Sequence, residues 1–147
     1  MRNLDIPAGS AVLEAACGTG TVTRHPYTRI DDITSLTVTD LAQPMVEQVQ
    51  QIVGDHPGIE YRQADANDLP FPDSAFDYVI CQFSLMLFPD KARGMREASR
   101  VSRPGGVFVF NMWDRLECNG FSMAVQGGCK HFSGRSSAFS RTAIYLS

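Results

Sequence analysis

The feature that most constrains this chain is a short apolar run that empties into glycines. Ala11-Val12-Leu13 leads through Glu14-Ala15-Ala16 into Cys17-Gly18-Thr19-Gly20. A strand that ends in a glycine turn and then opens a helix is the start of a βαβ unit. The first strand is predicted over Ala11–Ala16, and Pro26 ends or breaks the following helix within about two turns.

The same alternation continues along the chain. Further strands are predicted at Leu36–Asp40, Ile59–Arg62, Phe76–Phe83 and Val107–Met112. Thr37, Val38 and Thr39 supply β-branched residues to the second, and FDYVICQF is apolar enough to be buried on both faces. Between strands two and three, Pro44 suits a first helical position, and Met45, Val46, Val49, Ile52 and Val53 form an apolar stripe that ends before Gly54 and Pro57. Pro89 and Asp90 open another helix, predicted to turn Ala92, Met95, Ala98 and Val101 inward and Lys91, Arg93, Arg96, Glu97 and Arg100 outward. Pro104-Gly105-Gly106 then turns into the fifth strand. Strands alternating with helices predict an α/β fold: a three-layer, doubly wound parallel sheet with right-handed crossovers.

Composition narrows the function classes. At 147 residues the chain is expected to be one domain, and a net charge of -3 with a pI near 5.5 offers no footprint for a nucleic-acid backbone. No apolar run approaches the roughly 20 residues of a membrane span. Cys17, Cys81, Cys118 and Cys129 form no C-x-x-C pair, and Met1–Ser10 carries no signal peptide. They read as free thiols in a reducing, cytoplasmic setting. His25, His56 and His131 make no zinc pattern with them, so no metal is expected.

In open α/β sheets a ligand sits outside the carboxyl ends of the strands. The polar and glycine residues of this chain collect there: Glu14 to Gly20 after strand one, Asp40 after strand two, Asp65 after strand three and Gln82 after strand four. Gly18 and Gly20 let a ligand approach the backbone, Asp40 can accept from both hydroxyls of a ribose, and Asp65 can accept from an adenine amino group. Glu14 can hold the loop or a bound ammonium. Each residue also has a plainer use: a glycine pair can be only a turn, Asp40 a helix cap, Asp65 the start of a turn toward Asn67, and Cys17 a small packing residue. Four such positions in order, each at the end of its own strand, favour the ligand.

That joint pattern resembles the class I S-adenosylmethionine-dependent methyltransferases. Val12-Leu13-Glu14-Ala15-Ala16-Cys17-Gly18-Thr19-Gly20 is similar to their first motif, with Ala16 where glycine is commonest. Thr39-Asp40-Leu41 with Met45, and Ala64-Asp65-Ala66 through Leu69-Pro70-Phe71, resemble the second and third. Phe76-Asp77 through Gln82-Phe83-Ser84-Leu85-Met86 and Phe88-Pro89-Asp90 resemble a small-molecule branch that includes quinone-biosynthesis methyltransferases. Arg100-Val101 and Arg103-Pro104-Gly105-Gly106 match the usual approach to strand five.

The resemblance implies a Rossmann-like strand order of 3-2-1-4-5, S-adenosylmethionine as cofactor and a small-molecule methyl acceptor. It implies that Glu14, Gly18 and Gly20 line the methionyl end, Asp40 holds the ribose, Asp65 with Ala66 holds the adenine, and Gln82 faces the methionine moiety or the substrate mouth, with Ala16 and Leu41 also among the cofactor-binding residues. No general base can be assigned, and His25 reads as an exposed helix residue. A nicotinamide dehydrogenase fits less well, because Thr23 stands where its fingerprint wants a third glycine or alanine. DNA-base methylation is disfavoured because Cys81-Gln82-Phe83-Ser84 lacks the motif that cradles a flipped base.

Two readings stay open, an active methyltransferase and a weakly active or non-catalytic cofactor-binding fragment of one. The chain departs from the family near Gln126, so residues 1–126 are expected to form the cofactor-binding domain and 127–147 an atypical flexible tail. The family's helix before strand one and its closing antiparallel pair are expected to be missing. Strand five then becomes an apolar edge. Either Ala143-Ile144-Tyr145-Leu146 adds to it or two chains pair there as a homodimer, and the shortness of that segment favours the dimer.

Overall fold

The computed structural model describes residues 6–21, 23, 24, 35–112 and 141–146. Its elements are β1 (Ala11–Ala15), β2 (Ser35–Asp40), α1 (Gln43–Val53), β3 (Ile59–Gln63), β4 (Phe76–Gln82), α2 (Lys91–Val101), β5 (Ser102–Met112) and β6 (Arg141–Leu146), with a 3-10 turn at Leu85–Leu87. They form one sheet ordered β3-β2-β1-β4-β5-β6. The first five strands are parallel to their neighbours, as the alternation with helices requires, and β6 runs antiparallel to β5.

Each face of the sheet carries its own core. Leu13, Ala15, Val79, Cys81 and Phe108 pack with Ala98 and Val101 of α2, with Phe71 and Phe76 meeting edge to face at 5.2 Å. Val12, Leu36, Val38 and Ile80 pack with Val49 of α1. Because successive strand residues point to opposite faces, one apolar run feeds both layers. Two buried threonines interrupt β2, and Thr39 is satisfied by donating to the carbonyl of Glu14 at 3.1 Å.

Both helices bury less than their stripes suggest. In α1, Val46 and Val49 are buried but Ile52 lies at the surface. In α2 the buried residues are Gly94, Ala98 and Val101, whereas Ala92 and Met95 are exposed, contrary to expectation. Gly94 explains the rotation. A Cβ there would meet the Phe88 ring at 2.5 Å, so the helix approaches its neighbours most closely along the face that lacks a side chain. Glu97 and Arg100, expected outward, are half-buried.

The fifth strand begins earlier than predicted. Register shifts between Phe76–Ser102 and Tyr78–Val107, so the Arg103-to-Gly106 stretch bulges within β5. A Cβ on Gly106 would stand 2.8 Å from the Arg103 carbonyl oxygen, which is why glycine is needed at that bend. The same end of the sheet is tied by Asp77, whose two oxygens accept from the Ala11 amide (2.8 Å) and from Arg103 Nη1 (2.7 Å).

β6 corrects the reading of the tail. Val107 to Met112 pair in register with Leu146 back to Arg141, so the outer side of β5 is occupied within the chain rather than left for a homodimer. Arg141 and Thr142 extend the ladder beyond the four apolar residues expected to pair. The closing strands are therefore not wholly absent. Residues 127–140, Pro26, His25, Cys118, Cys129 and His131 lie outside the described residues.

Candidate functional site

The carboxyl ends of β1 to β4 open at one pole, where a chain of hydrogen bonds knits their loops. The Cys17 amide donates to the Thr39 carbonyl at 2.9 Å, and the Ala64 amide to the Asp40 carbonyl at 2.9 Å. Gln63 Nε2 donates to the Leu41 carbonyl at 2.8 Å, and Ser84 Oγ to the Ala16 carbonyl at 3.1 Å.

The loop after β1 depends on left-handed backbone. Ala16, Gly18 and Gly20 have φ of 57°, 53° and 74°. Ala16 thus carries a Cβ in a conformation that glycine adopts without steric cost. A Cβ on Gly20 would meet Val49 Cγ2 at 2.8 Å, so this glycine lets the loop settle against α1. On Gly18 a Cβ would find nothing within 4 Å, which leaves the backbone there open to an approaching ligand.

Asp40 is the hub. Its Oδ2 accepts the Gly18 amide and its Oδ1 the Ala42 amide, each at 2.9 Å. One carboxylate thereby joins the glycine loop to the start of α1, whose cap residue is Ala42. A carboxylate offers about four acceptor sites, so both oxygens retain capacity after these bonds. Leu41, beside it, is 64% exposed.

Glu14 lies beneath the loop and is 2% exposed. In register it sits between Val38 and Ile80, so its carboxyl occupies an apolar row. Burial pushes it up to about 7, although Thr23 Oγ donates to it at 2.7 Å and partly offsets the shift. Cys17 and Cys81 are buried thiols pushed up to about 12, first by burial, which makes them packing residues rather than nucleophiles.

Asp65 and Ala66 form a turn after β3. Asp65 Oδ1 accepts the Asn67 amide at 2.8 Å, Asp65 bridges to Asp68, and Ala66 packs on the core. The aspartate therefore has the turn role that the sequence allowed, with Oδ2 as the oxygen suited to a further donor. Gln82 closes the row at the end of β4, its Oε1 accepting from Asn111 Nδ2 at 3.3 Å.

Sequence reasoning missed Thr23, Ser84 and Asn111. Asn111 is 1% exposed, and its Oδ1 accepts the amide of Phe83, whose φ is 54°. The signal was available: a lone amide directly after the apolar run Val107-Phe108-Val109-Phe110, within the predicted strand.

Comparison with known proteins identifies the family and the fold. Residues 13–110 match the family model described as "Methyltransferase domain". The demethylmenaquinone methyltransferase of Lysinibacillus sphaericus is 31% identical over 121 residues, covering 82% of this chain and 52% of the relative. The ubiquinone/menaquinone biosynthesis C-methyltransferase UbiE of Hahella chejuensis is 36% identical over 104 residues, covering 69% and 42%. The crystal structure of an S-adenosylmethionine dependent methyltransferase from Mesorhizobium loti superposes with a TM-score of 0.65 at 27% identity, covering 75% of this chain and 50% of that one. The chain spans about half the length of the curated relatives it matches.

Proposed function

Because the chain belongs to the class I S-adenosylmethionine-dependent methyltransferases, we propose that it binds that cofactor and serves methyl transfer to a small molecule. The observation that carries this reading is Asp40, a carboxylate bonded to the Gly18 amide with acceptor capacity to spare. When bound, S-adenosylmethionine supplies a methyl group activated by a positively charged sulfur.

The residues present fit that group. Asp40 has one acceptor position left on each oxygen for the two ribose hydroxyls, and exposed Leu41 offers an apolar surface to the base. The space beside Gly18 and the left-handed turn from Ala16 to Gly20 leave room for the methionyl end. Ionised Glu14 attracts an ammonium, and Asp65 Oδ2 accepts from an amino group while Ala66 borders the base. Gln82, steadied by Asn111, orients the end of β4 toward the acceptor. For an activated methyl group the chain's main contribution is alignment of the reactants.

The acceptor is a small molecule with an apolar body. Leu87, 78% exposed in the turn after β4, leaves apolar surface near the strand ends. The name of the Lysinibacillus sphaericus relative makes demethylmenaquinone the first acceptor to assay.

Calorimetry on the purified chain tests the cofactor assignment. S-adenosylhomocysteine should bind and NAD should not, and Asp40→Ala should weaken binding by about 1–3 kcal/mol by removing a charged acceptor. Binding of NAD without S-adenosylhomocysteine would overturn the assignment.

A further inference from the structure

Residues 64–75 connect β3 to β4 and carry Asp65 and Ala66, yet they contain no helix or strand of their own. They are fixed from the side by α2. Asn67 Nδ2 donates to the Asp90 carbonyl at 3.0 Å, and Arg93 pairs with Asp68 at 3.2 Å. One turn further along α2, Glu97 Oε2 accepts the Leu69 amide at 2.9 Å.

Arg100 completes the hold. Its Nη2 donates to the Leu69 carbonyl (2.9 Å) and to Glu97 Oε2 (2.7 Å), and its Nη1 to the Phe71 carbonyl and Asp73 Oδ1 (both 2.8 Å). Its Nε donates to Glu97 Oε1 at 2.9 Å. All five N–H bonds of the guanidinium are thus committed, and the Ser74 amide returns a bond to the Arg100 carbonyl. An isolated surface ion pair contributes little, but this planar fork grips backbone at two points and is itself gripped by Glu97. A lysine presents its donors from a single atom and cannot span the same set.

Leu69 follows the Asp65–Asp68 turn directly and is held by both its amide and its carbonyl. We propose that Arg100 is a positioning residue for purine recognition: by fixing residues 69–73 it keeps the Asp65 turn where it selects a 6-amino purine over a 6-oxo purine. This rests on the cofactor reading above, in which Asp65 meets the adenine amino group.

The test compares S-adenosylhomocysteine with S-inosylhomocysteine, which differs at that amino group, by calorimetry on the full chain, with a melting curve for every variant. Wild type should prefer the adenosyl ligand. Arg100→Ala should reduce that preference about tenfold, the scale of one lost charge-assisted hydrogen bond. Asp65→Ala should do the same, and the double variant should lose no more than either alone. Arg100→Lys should recover melting temperature while leaving the preference low, and it carries the comparison if Arg100→Ala does not fold. An Arg100 variant that melts early but keeps the wild-type preference would overturn the proposal. Wild type that binds the two ligands equally would do so too. Wild type that binds neither would instead bring down the cofactor reading on which it rests.

Discussion

The loops after β1 and β3 stand at the same pole and are held by opposite means. The first is fixed by its own backbone: three left-handed residues within five positions, and amide bonds to β2 and Asp40. The second is fixed by side chains reaching across from α2, above all Arg100 and Glu97. A loop held by backbone geometry tolerates side chains poorly at its left-handed turning points. A loop held by a side-chain fork tolerates change along its length as long as the fork stays.

The strongest way to break that contrast is Gly20→Ala. The new methyl would be strained by a φ of 74° and pressed against Val49, which is fully buried and stiff as a β-branched helix residue. A loss of about 3 kcal/mol is expected by urea denaturation, combining left-handed strain with overpacking. Gly18→Ala meets open space and should cost only about 1–2 kcal/mol. Equal losses would mean that the close approach to α1 does not matter.

Next comes the acid under the first loop. Glu14 has a folded value of about 7 against an ordinary 4.5, so between those pH values the folded chain holds a proton that the unfolded chain has released. Stability should therefore fall as pH rises through that window and level off above it, with a total change of about 3 kcal/mol. Denaturation at pH 5 and pH 8 measures this. Glu14→Gln, which can still accept from Thr23, should remove that part of the slope. A variant with the wild-type slope would show that Glu14 is not its source.

The smallest effect sharpens the contrast from the other side. Ala16→Gly removes a Cβ from a left-handed residue and should stabilise by about 0.5–1 kcal/mol, after the entropy cost of glycine in the unfolded chain. A loss of stability in denaturant would mean that the Ala16 methyl packs usefully.

How much of this was legible in the sequence follows from the same contrast. Backbone-held features announce themselves as glycines and strand-end aspartates, and the first five strands and the strand-end places of Gly18 and Asp40 could be read from them, although the bond between those two could not. Side-chain-held features hide in ordinary surface chemistry. Glu97 and Arg100 looked like an outward helix pair, because nothing local says that the next loop lies within reach. The buried face of α2 was misjudged because the inward residue is Gly94, which carries no hydrophobic signal. β6 was discounted because four apolar residues form a short ladder, yet Arg141 and Thr142 lengthen it, and their polarity concealed them.

Asp77 gives the molecule two independent handles. It fastens β1, β4 and β5 at their amino ends, whereas Gln82 stands at the other end of the same strand. Five residues of extended chain, about 16 Å, separate the two. Ruggedness and the proposed site thus lie at opposite poles of one sheet. An engineer can reinforce the Asp77 fastening for durability while varying the turn at Leu85–Leu87, with little expectation that either change will disturb the other.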